Sequence, residues 1–301
     1  MPNSLRLVHE RKIEELFPIN PPTGALEASG VLAMSGKFYV VFDNRTDVAR
    51  LADNLIPNQM NGFFGMAHGR RGFECIAYNP FSRRYYLLIE SRRTRRGEFR
   101  PEIFEYDESL AYLRHRKIDF LFDSESKGFE ALAYIRRNRR DYVLALCEGN
   151  RCKSGPAGKR PGGGRIQLFK KKRIWSHVGT IKLPKSVRFN DYSAMTIDGS
   201  RVAVVSQENS MLWIGVFQEQ SWNWRDEGET YLFPRNDGGE IHYGNVEGVY
   251  WITHSRIVAV SDRKKKNQAV CVAEKDQSIH IFDIPEKSHS TSVSAESDPA
   301  W

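Results

Sequence analysis

The chain lacks the features that mark a secreted or membrane-spanning protein. No run approaches 18 consecutive apolar residues, and its beginning, MPNSLRLVHERKIEELF, has no apolar core. Neither a bilayer-crossing helix nor a secretory leader is therefore expected, and the expected location is the cytoplasm. Cysteine is scarce: Cys75, Cys147, Cys152 and Cys271 show no zinc-finger spacing. Cys75 and Cys147 sit in apolar runs and are expected to be buried thiols, with a Cys147–Cys152 disulfide as the alternative. The eight histidines show no metal-ligand spacing, and only His68 and His242 are placed to reach a cleft mouth. No Gly-x-Ser-x-Gly elbow occurs. The segment GPAGKRPGGG lacks the Gly-Lys-Ser/Thr ending and following helix of a phosphate loop. No amphipathic helix longer than about three turns is visible, which leaves an all-β chain.

What is present is a short signature, repeated five times: an oxygen-bearing residue, a small residue, an aliphatic residue. It reads Ser29-Gly30-Val31, Glu74-Cys75-Ile76, Glu130-Ala131-Leu132, Ser193-Ala194-Met195 and Glu247-Gly248-Val249. Successive copies are 45, 56, 63 and 54 residues apart, the size of a four-stranded propeller blade with variable loops. The 301 residues are accordingly read as a five-bladed β-propeller over 1–286 and a Ser-rich, disordered tail over 287–301. Each signature is followed by a short apolar run ending in a polar residue: Asp43, Glu90, Glu148, Gln207 and Asp262. These runs of 5–8 residues, rich in Val, Tyr, Leu and Ile, predict second strands. Third strands are expected near 48–52, 102–106, 165–169, 211–217 and 278–284. Outer strands are expected near 115–122, 175–183 and 229–233, with 62–66 the candidate in the first blade. The last blade is one strand short, and the alternating run at 5–8 is expected to close it.

Strands one and two of a blade are antiparallel, so the end of the second returns to the level where the first began. Two concentric sets should then share one face: a ring of Ser29, Glu74, Glu130, Ser193 and Glu247, and a mouth of Asp43, Glu90, Glu148, Gln207 and Asp262. Three carboxylates around one narrow axis repel one another unless protons or a cation intervene. A hard cation with oxygen ligands answers this, and Ca2+, which accepts six to eight oxygens, suits a wide ring better than magnesium. The alternative is a water-filled channel whose glutamates fix blade packing.

The formal charge of +8 favours anionic partners. Three irregular stretches, 91–100, 151–165 and 263–277, hold 15 Lys or Arg, including Arg92, Arg151 and Arg263. They open on the face of the ring, and the middle one, rich in Gly and Pro, is expected to be mobile. A basic rim over a cation-bearing funnel would gather an anionic small-molecule substrate. No RNA-binding signature occurs, so nucleic acid is not an expected partner; neither is a membrane, and the protein is expected to act as a monomer.

The segments LEASGVLAMSGKFYVVFDN, KGFEALAYIRRNRRDYVLALCEGN, FNDYSAMTIDGSRVAVVSQENS and NVEGVYWITHSRIVAVSDR resemble the repeats of the phytase-like esterase and SdiA-regulated propeller families. The order Ser, Glu, Glu, Ser, Glu also resembles the five-bladed calcium-activated nucleotidases (apyrases), and Asp43-Asn44-Arg45-Thr46 resembles their Asp-Arg-Thr at the mouth of the first blade. The resemblance implies a central calcium held by the ring. It also implies hydrolysis of a phosphate ester or nucleoside diphosphate. In that reading Asp43, Glu90 or Glu148 positions or deprotonates water. Arg45, Arg92, Arg151 and Arg263 neutralise developing charge, and Gln207 and Asp262 line the substrate site. A non-catalytic propeller, with a structural ion and a rim that docks an acidic partner, is the other reading.

Overall fold

The computed structural model describes residues 2–19, 22–65, 72–124 and 128–286. The tail and His68 lie outside them. Two strands open the chain, β1 (Asn3–Ser4) and β2 (Arg6–Lys12), and five sheets follow in sequence order. Blade one is β3 (Ala28–Met34), β4 (Lys37–Phe42), β5 (Val48–Ala52) and β6 (Gly62–Phe64). Blade two is β7 (Cys75–Asn79), β8 (Arg84–Arg93), β9 (Phe99–Tyr106) and β10 (Tyr112–Lys117). Blade three is β11 (Phe129–Arg137), β12 (Arg140–Cys147), β13 (Arg165–Lys171) and β14 (Trp175–Lys182). Blade four is β15 (Ala194–Asp198), β16 (Arg201–Ser206), β17 (Met211–Val216) and β18 (Glu229–Leu232). Blade five is β19 (Val246–Thr253), β20 (Arg256–Ser261) and β21 (Ser278–Asp283), completed by β2. The protein is an all-β, five-bladed propeller.

Closure follows the expected route. β2 pairs antiparallel with β21, from Arg6 opposite Asp283 to Lys12 opposite Ser278. The sequence did not announce β1, which adds a short parallel rung to the outer strand β18 of blade four. The N-terminus therefore bridges blades four and five.

Second strands read as continuous apolar runs because both of their faces meet a neighbouring blade. Phe38 to Phe42 are all buried, as are Val202 to Val205 and Ile257 to Val260. The core is thus divided into layers between blades; one layer packs Val31, Val40 and Phe42 against Val258, Val260 and Ile279. Nearest the axis the inner strands β3, β7, β11, β15 and β19 touch in a closed circle. Small second residues in the signature make that circle possible. A Cβ built on Gly248 would lie 2.9 Å from Gly30 Cα and 2.5 Å from a Val260 methyl.

Two expectations are corrected. Cys147 and Cys152 form a disulfide rather than leaving Cys147 a free thiol; the buried Cys75 is free. Such bonds persist chiefly in oxidising compartments, which weighs against the cytoplasmic expectation. Among the described residues no helix is long and apolar enough to cross a membrane. Second, 151–165 is a built loop. The Asn150 amide nitrogen donates to the carbonyls of Gly158, Phe189 and Asn190 at 3.0–3.1 Å, and its oxygen accepts from Gly163 N–H at 2.7 Å and Tyr192 O–H at 3.0 Å. Residues 91–93 and 99–100 likewise belong to strands, a ribbon extending β8 and β9.

Candidate metal centre at the axial mouth

Each signature begins an inner strand, so the five first residues gather at one end of the axis. In blades one, three and five the strand ladder slips at this point, beside Ser29, Glu130 and Glu247. Such a bulge re-aims a side chain out of the regular alternation. The ends of the second strands arrive at the same level. Asp43 N–H donates to Glu27 O at 3.0 Å, Glu148 N–H to Gly128 O at 3.2 Å, and Asp262 N–H to Asn245 O at 2.8 Å.

Ring and mouth therefore merge instead of forming two separate circles. Glu90, Glu130 and Glu148, half-buried, each place a carboxylate oxygen within 4.8 Å of the other two. One comes from the ring and two from the mouth. The serines point elsewhere with their protons: Ser29 Oγ donates to Phe73 O of the next blade, and Ser193 Oγ to Val246 O at 2.7 Å. They staple blade one to two and four to five, leaving only lone pairs to offer an ion. Glu247 faces an ammonium, Lys265 Nζ, 3.5 Å away, which also donates to Gln207 Oε1 at 3.0 Å. Lys265 is aimed by its own loop: its N–H donates to Gln268 Oε1 at 2.7 Å, and Gln268 donates to Gly244 O at 2.9 Å.

The electrostatics follow from crowding and burial. Burial, with Glu90, Asp43, Glu247 and Glu148 adding repulsion, pushes Glu74 well above the carboxylate range. Burial and the neighbouring Glu148, Glu74 and Glu90 do the same to Glu130. Glu247 is pushed up to about 8 by burial and Asp262, against the pull of Lys265. Burial, Asp262 and Glu27 raise Asp43 to about 7. Asp262 and Asp191 rise to about 6, again chiefly through burial. This donor set is all oxygen and short of positive charge, and it fits a hard cation such as Ca2+.

Two acids of the cluster, Glu27 and Asp191, were missed in the sequence, and the signal for them is simple. Both lie two residues before a signature that begins with Ser, whereas Gly72, Gly128 and Asn245 precede the signatures that begin with Glu. Each blade thus brings one carboxylate to the start of its inner strand: Glu27, Glu74, Glu130, Asp191 or Glu247. Asp191 is held by Ser206 Oγ at 2.5 Å. The glycines have a steric reason as well. A Cβ on Gly128 would fall 2.3 Å from Glu90 Cγ, and one on Gly72 2.1 Å from the Asp43 carbonyl.

At the rim the basic residues differ in their commitments. Arg45 binds Asp47 with both nitrogens at 2.9 Å and stacks 4.3 Å over Phe63, so it is held sideways. Arg92 reaches Glu102 at 3.2 Å. Arg151 and Arg263 are exposed, and among the described residues neither forms an ion pair with a carboxylate. His242 pairs with Glu274 at 2.9 Å. Below the carboxylates runs a narrow axial channel of about 40 Å³, room for a few waters, ending in a collar of Tyr78, Tyr134, Ile197 and Tyr250.

No protein-family model matches the chain, and no curated protein matches it in sequence. Solved structures do match. Glutaminyl cyclase from Myxococcus xanthus is 10% identical, with 95% of this chain and 100% of that one covered, at a TM-score of 0.55. An alpha-L-arabinofuranosidase from Lactobacillus brevis is 11% identical over 90% and 94%, TM-score 0.52. A GH43_1 enzyme from Xanthomonas citri complexed with xylotriose is 10% identical over 89% and 90%, TM-score 0.51. At such identities these likenesses carry the propeller fold alone.

Proposed function

We propose that the protein is a calcium-dependent hydrolase of an anionic, phosphate-bearing small molecule, with the ion held by Glu90, Glu130 and Glu148. The observation that carries this reading is the convergence of those three carboxylates within 4.8 Å at the axial mouth. The wider ring of Glu74, Glu247 and, through lone pairs, Ser29 and Ser193 completes an oxygen-rich surround. Bound there, calcium would hold a phosphoryl oxygen and polarise water. Asp43, raised to about 7 by burial and by Asp262 and Glu27 in the metal-free protein, would give up its proton once a cation is bound beside it and suits the role of general base. Arg151 and Arg263 carry their charge to the rim, where Arg92 joins them from the extended ribbon; they would draw in the substrate and offset charge on the phosphoryl group. Arg45, tied to Asp47, would position the first-blade loop. The resemblance of the repeats to phytase-like and calcium-activated nucleotidase propellers supports the same chemistry.

A second reading is favoured by the serine staples and by Lys265, which already supplies one positive charge to Glu247. In it the ion is structural and the rim docks an acidic partner. Titrating calcium against wild type and Glu130→Gln, alongside a panel of phosphoesters and nucleoside diphosphates, separates the two. The enzyme reading expects calcium-dependent phosphate release that falls at least about 100-fold in Glu130→Gln while the fold persists. Calcium binding with no turnover of any panel member would leave the scaffold reading; no calcium binding would remove both.

A further inference from the structure

The end of the propeller opposite the carboxylates carries a different chemistry. The turns that join first to second strands, and third to fourth, all lie there. In blade three both turns are basic: 136–140 reads Arg-Arg-Asn-Arg-Arg, and 170–173 reads Lys-Lys-Lys-Arg. Some neighbouring cations are committed to structure. Arg84, Arg114 and Arg116 all bind the fully buried Glu105, and Lys171 donates to the Tyr86 hydroxyl at 2.9 Å. Others are not: among the described residues, Arg139, Arg140, Lys170, Lys172 and Arg173 form no ion pair with a carboxylate. Arg139 even sits at the tip of its turn with φ of 59°, a left-handed position where glycine is favoured.

Beside this basic edge is an open groove across blades two, three and four. Its floor is the tyrosine collar of the axial channel, and Arg136, Arg137 and Phe81 stand along it. Phe81 is 64% exposed and lies 4.3 Å under the Arg136 guanidinium. Arg137 stacks 4.0 Å over Trp222. Arg136 also pairs with Asp141 at 3.6 Å and Arg137 donates to the Ser221 carbonyl, so the uncommitted charge is that of the two turns. An exposed ring beside such a basic edge is what a chain of bases and phosphates requires: a stacking surface for the one, counter-charge for the other. An acidic peptide would use only the cations. A lipid surface would call for a cluster of inserted aliphatic side chains, whereas among the described residues the blade-three turns expose Ile174 and the neighbouring blade Leu113.

We infer that this face binds single-stranded nucleic acid, with phosphates along the blade-three turns and bases against Phe81 and the tyrosine collar. This departs from the sequence-based expectation that nucleic acid is not a partner, and it does not depend on the calcium centre at the other end. The probe is a fluorescein-labelled oligouridine of about 20 nucleotides, followed by fluorescence anisotropy at several salt concentrations. Wild type should bind with a salt slope that corresponds to about three to five phosphate contacts, each contributing roughly 0.7. The triple variant Arg139→Glu, Arg140→Glu, Lys172→Glu should lose binding at least about 100-fold and flatten the slope. Phe81→Ala should weaken binding about 5- to 100-fold and leave the slope unchanged. Glu130→Gln, at the far end, should bind as wild type does. Circular dichroism checks the fold of each variant. The inference is overturned if the oligonucleotide fails to bind or the triple variant binds it normally. It is equally overturned if polyglutamate displaces it and Phe81→Ala has no effect, or if phosphatidylserine vesicles capture the protein while the oligonucleotide does not.

Discussion

Residue 128 has no side chain because Glu90 of the preceding blade occupies the space where one would begin. The Glu90 Cγ would be 2.3 Å from a Cβ at that position, closer than two non-bonded carbons can rest. Glu90 is a flexible side chain, so in Gly128→Ala it can swing aside while the backbone stays, and it would then leave Glu130 and Glu148. We expect Gly128→Ala to fold, and to bind calcium about 10-fold or more weakly by isothermal titration, the loss of one carboxylate ligand in a small set. Unchanged affinity would mean that Glu90 is not part of the centre. At this scale the sequence was informative about which residues matter and less so about how they are used. The signature located Glu74, Glu130 and Glu247 because chain position alone brings inner-strand starts to one axis. It could not distinguish a serine that faces an ion from one that donates to the neighbouring blade, since that choice depends on a carbonyl some 44 or 53 residues away. Glu27 and Asp191 escaped because their signal is an exchange of charge between two positions, visible only once the blades are superposed.

Among the elements, β2 has the most to do, because it closes the circle. Glu10 on this strand is engaged by His280 Nδ1 and by the Tyr243 hydroxyl, each 3.1 Å away, and by the Lys275 ammonium. Burial alone would raise its pKa; the hydrogen bonds from His280 and Lys275 overcome burial and hold it at about 2. A carboxyl depressed in the folded state stabilises above its unfolded pKa, near 4.5, and loses that contribution as pH falls toward 2. Glu10→Gln should therefore lower stability by about 1–3 kcal/mol near neutrality, measured by urea unfolding. The difference from wild type should shrink as pH falls through 4 toward about 2. A deficit that stays constant with pH would show that packing, not charge, is what Glu10 contributes. The closing strand itself was legible from a missing fourth strand and an alternating run near the N-terminus. The loop at 151–165 was not. Its Gly and Pro content reads as mobility, yet one buried Asn150 side chain with five partners fixes it. The same turn brings Cys152 back to Cys147, a bond that composition and spacing leave open.

The whole molecule is electrically divided: carboxylates crowd one end of the axis, while the net charge remains +8 and unpaired cations edge the other end. The crowded end should govern how stability responds to pH. Glu74, Glu130, Glu247, Asp43, Asp262 and Asp191 all hold their protons to higher pH in the folded chain than in the unfolded one. Between about pH 4.5 and 8 these six groups keep more protons in the folded state, so they make stability without metal fall as pH rises through that window; the one buried His280, held down by burial, pulls the other way and is outnumbered. Under the proposed function calcium would take the place of those protons and bind more tightly as they leave. After dialysis against a chelator, Tm should be highest near pH 5 and decline toward pH 8. Millimolar calcium should restore it strongly near pH 8 and hardly at all near pH 5, because a ligand that binds only the folded state stabilises in proportion to its affinity. In Glu130→Gln the calcium-induced rise should largely vanish, and the metal-free decline should become shallower, because one of the repelling acids is gone. A chelated protein whose Tm climbs from pH 5 to 8, or a calcium effect equal at both ends, would mean that the carboxylates at the mouth neither hold protons nor share an ion.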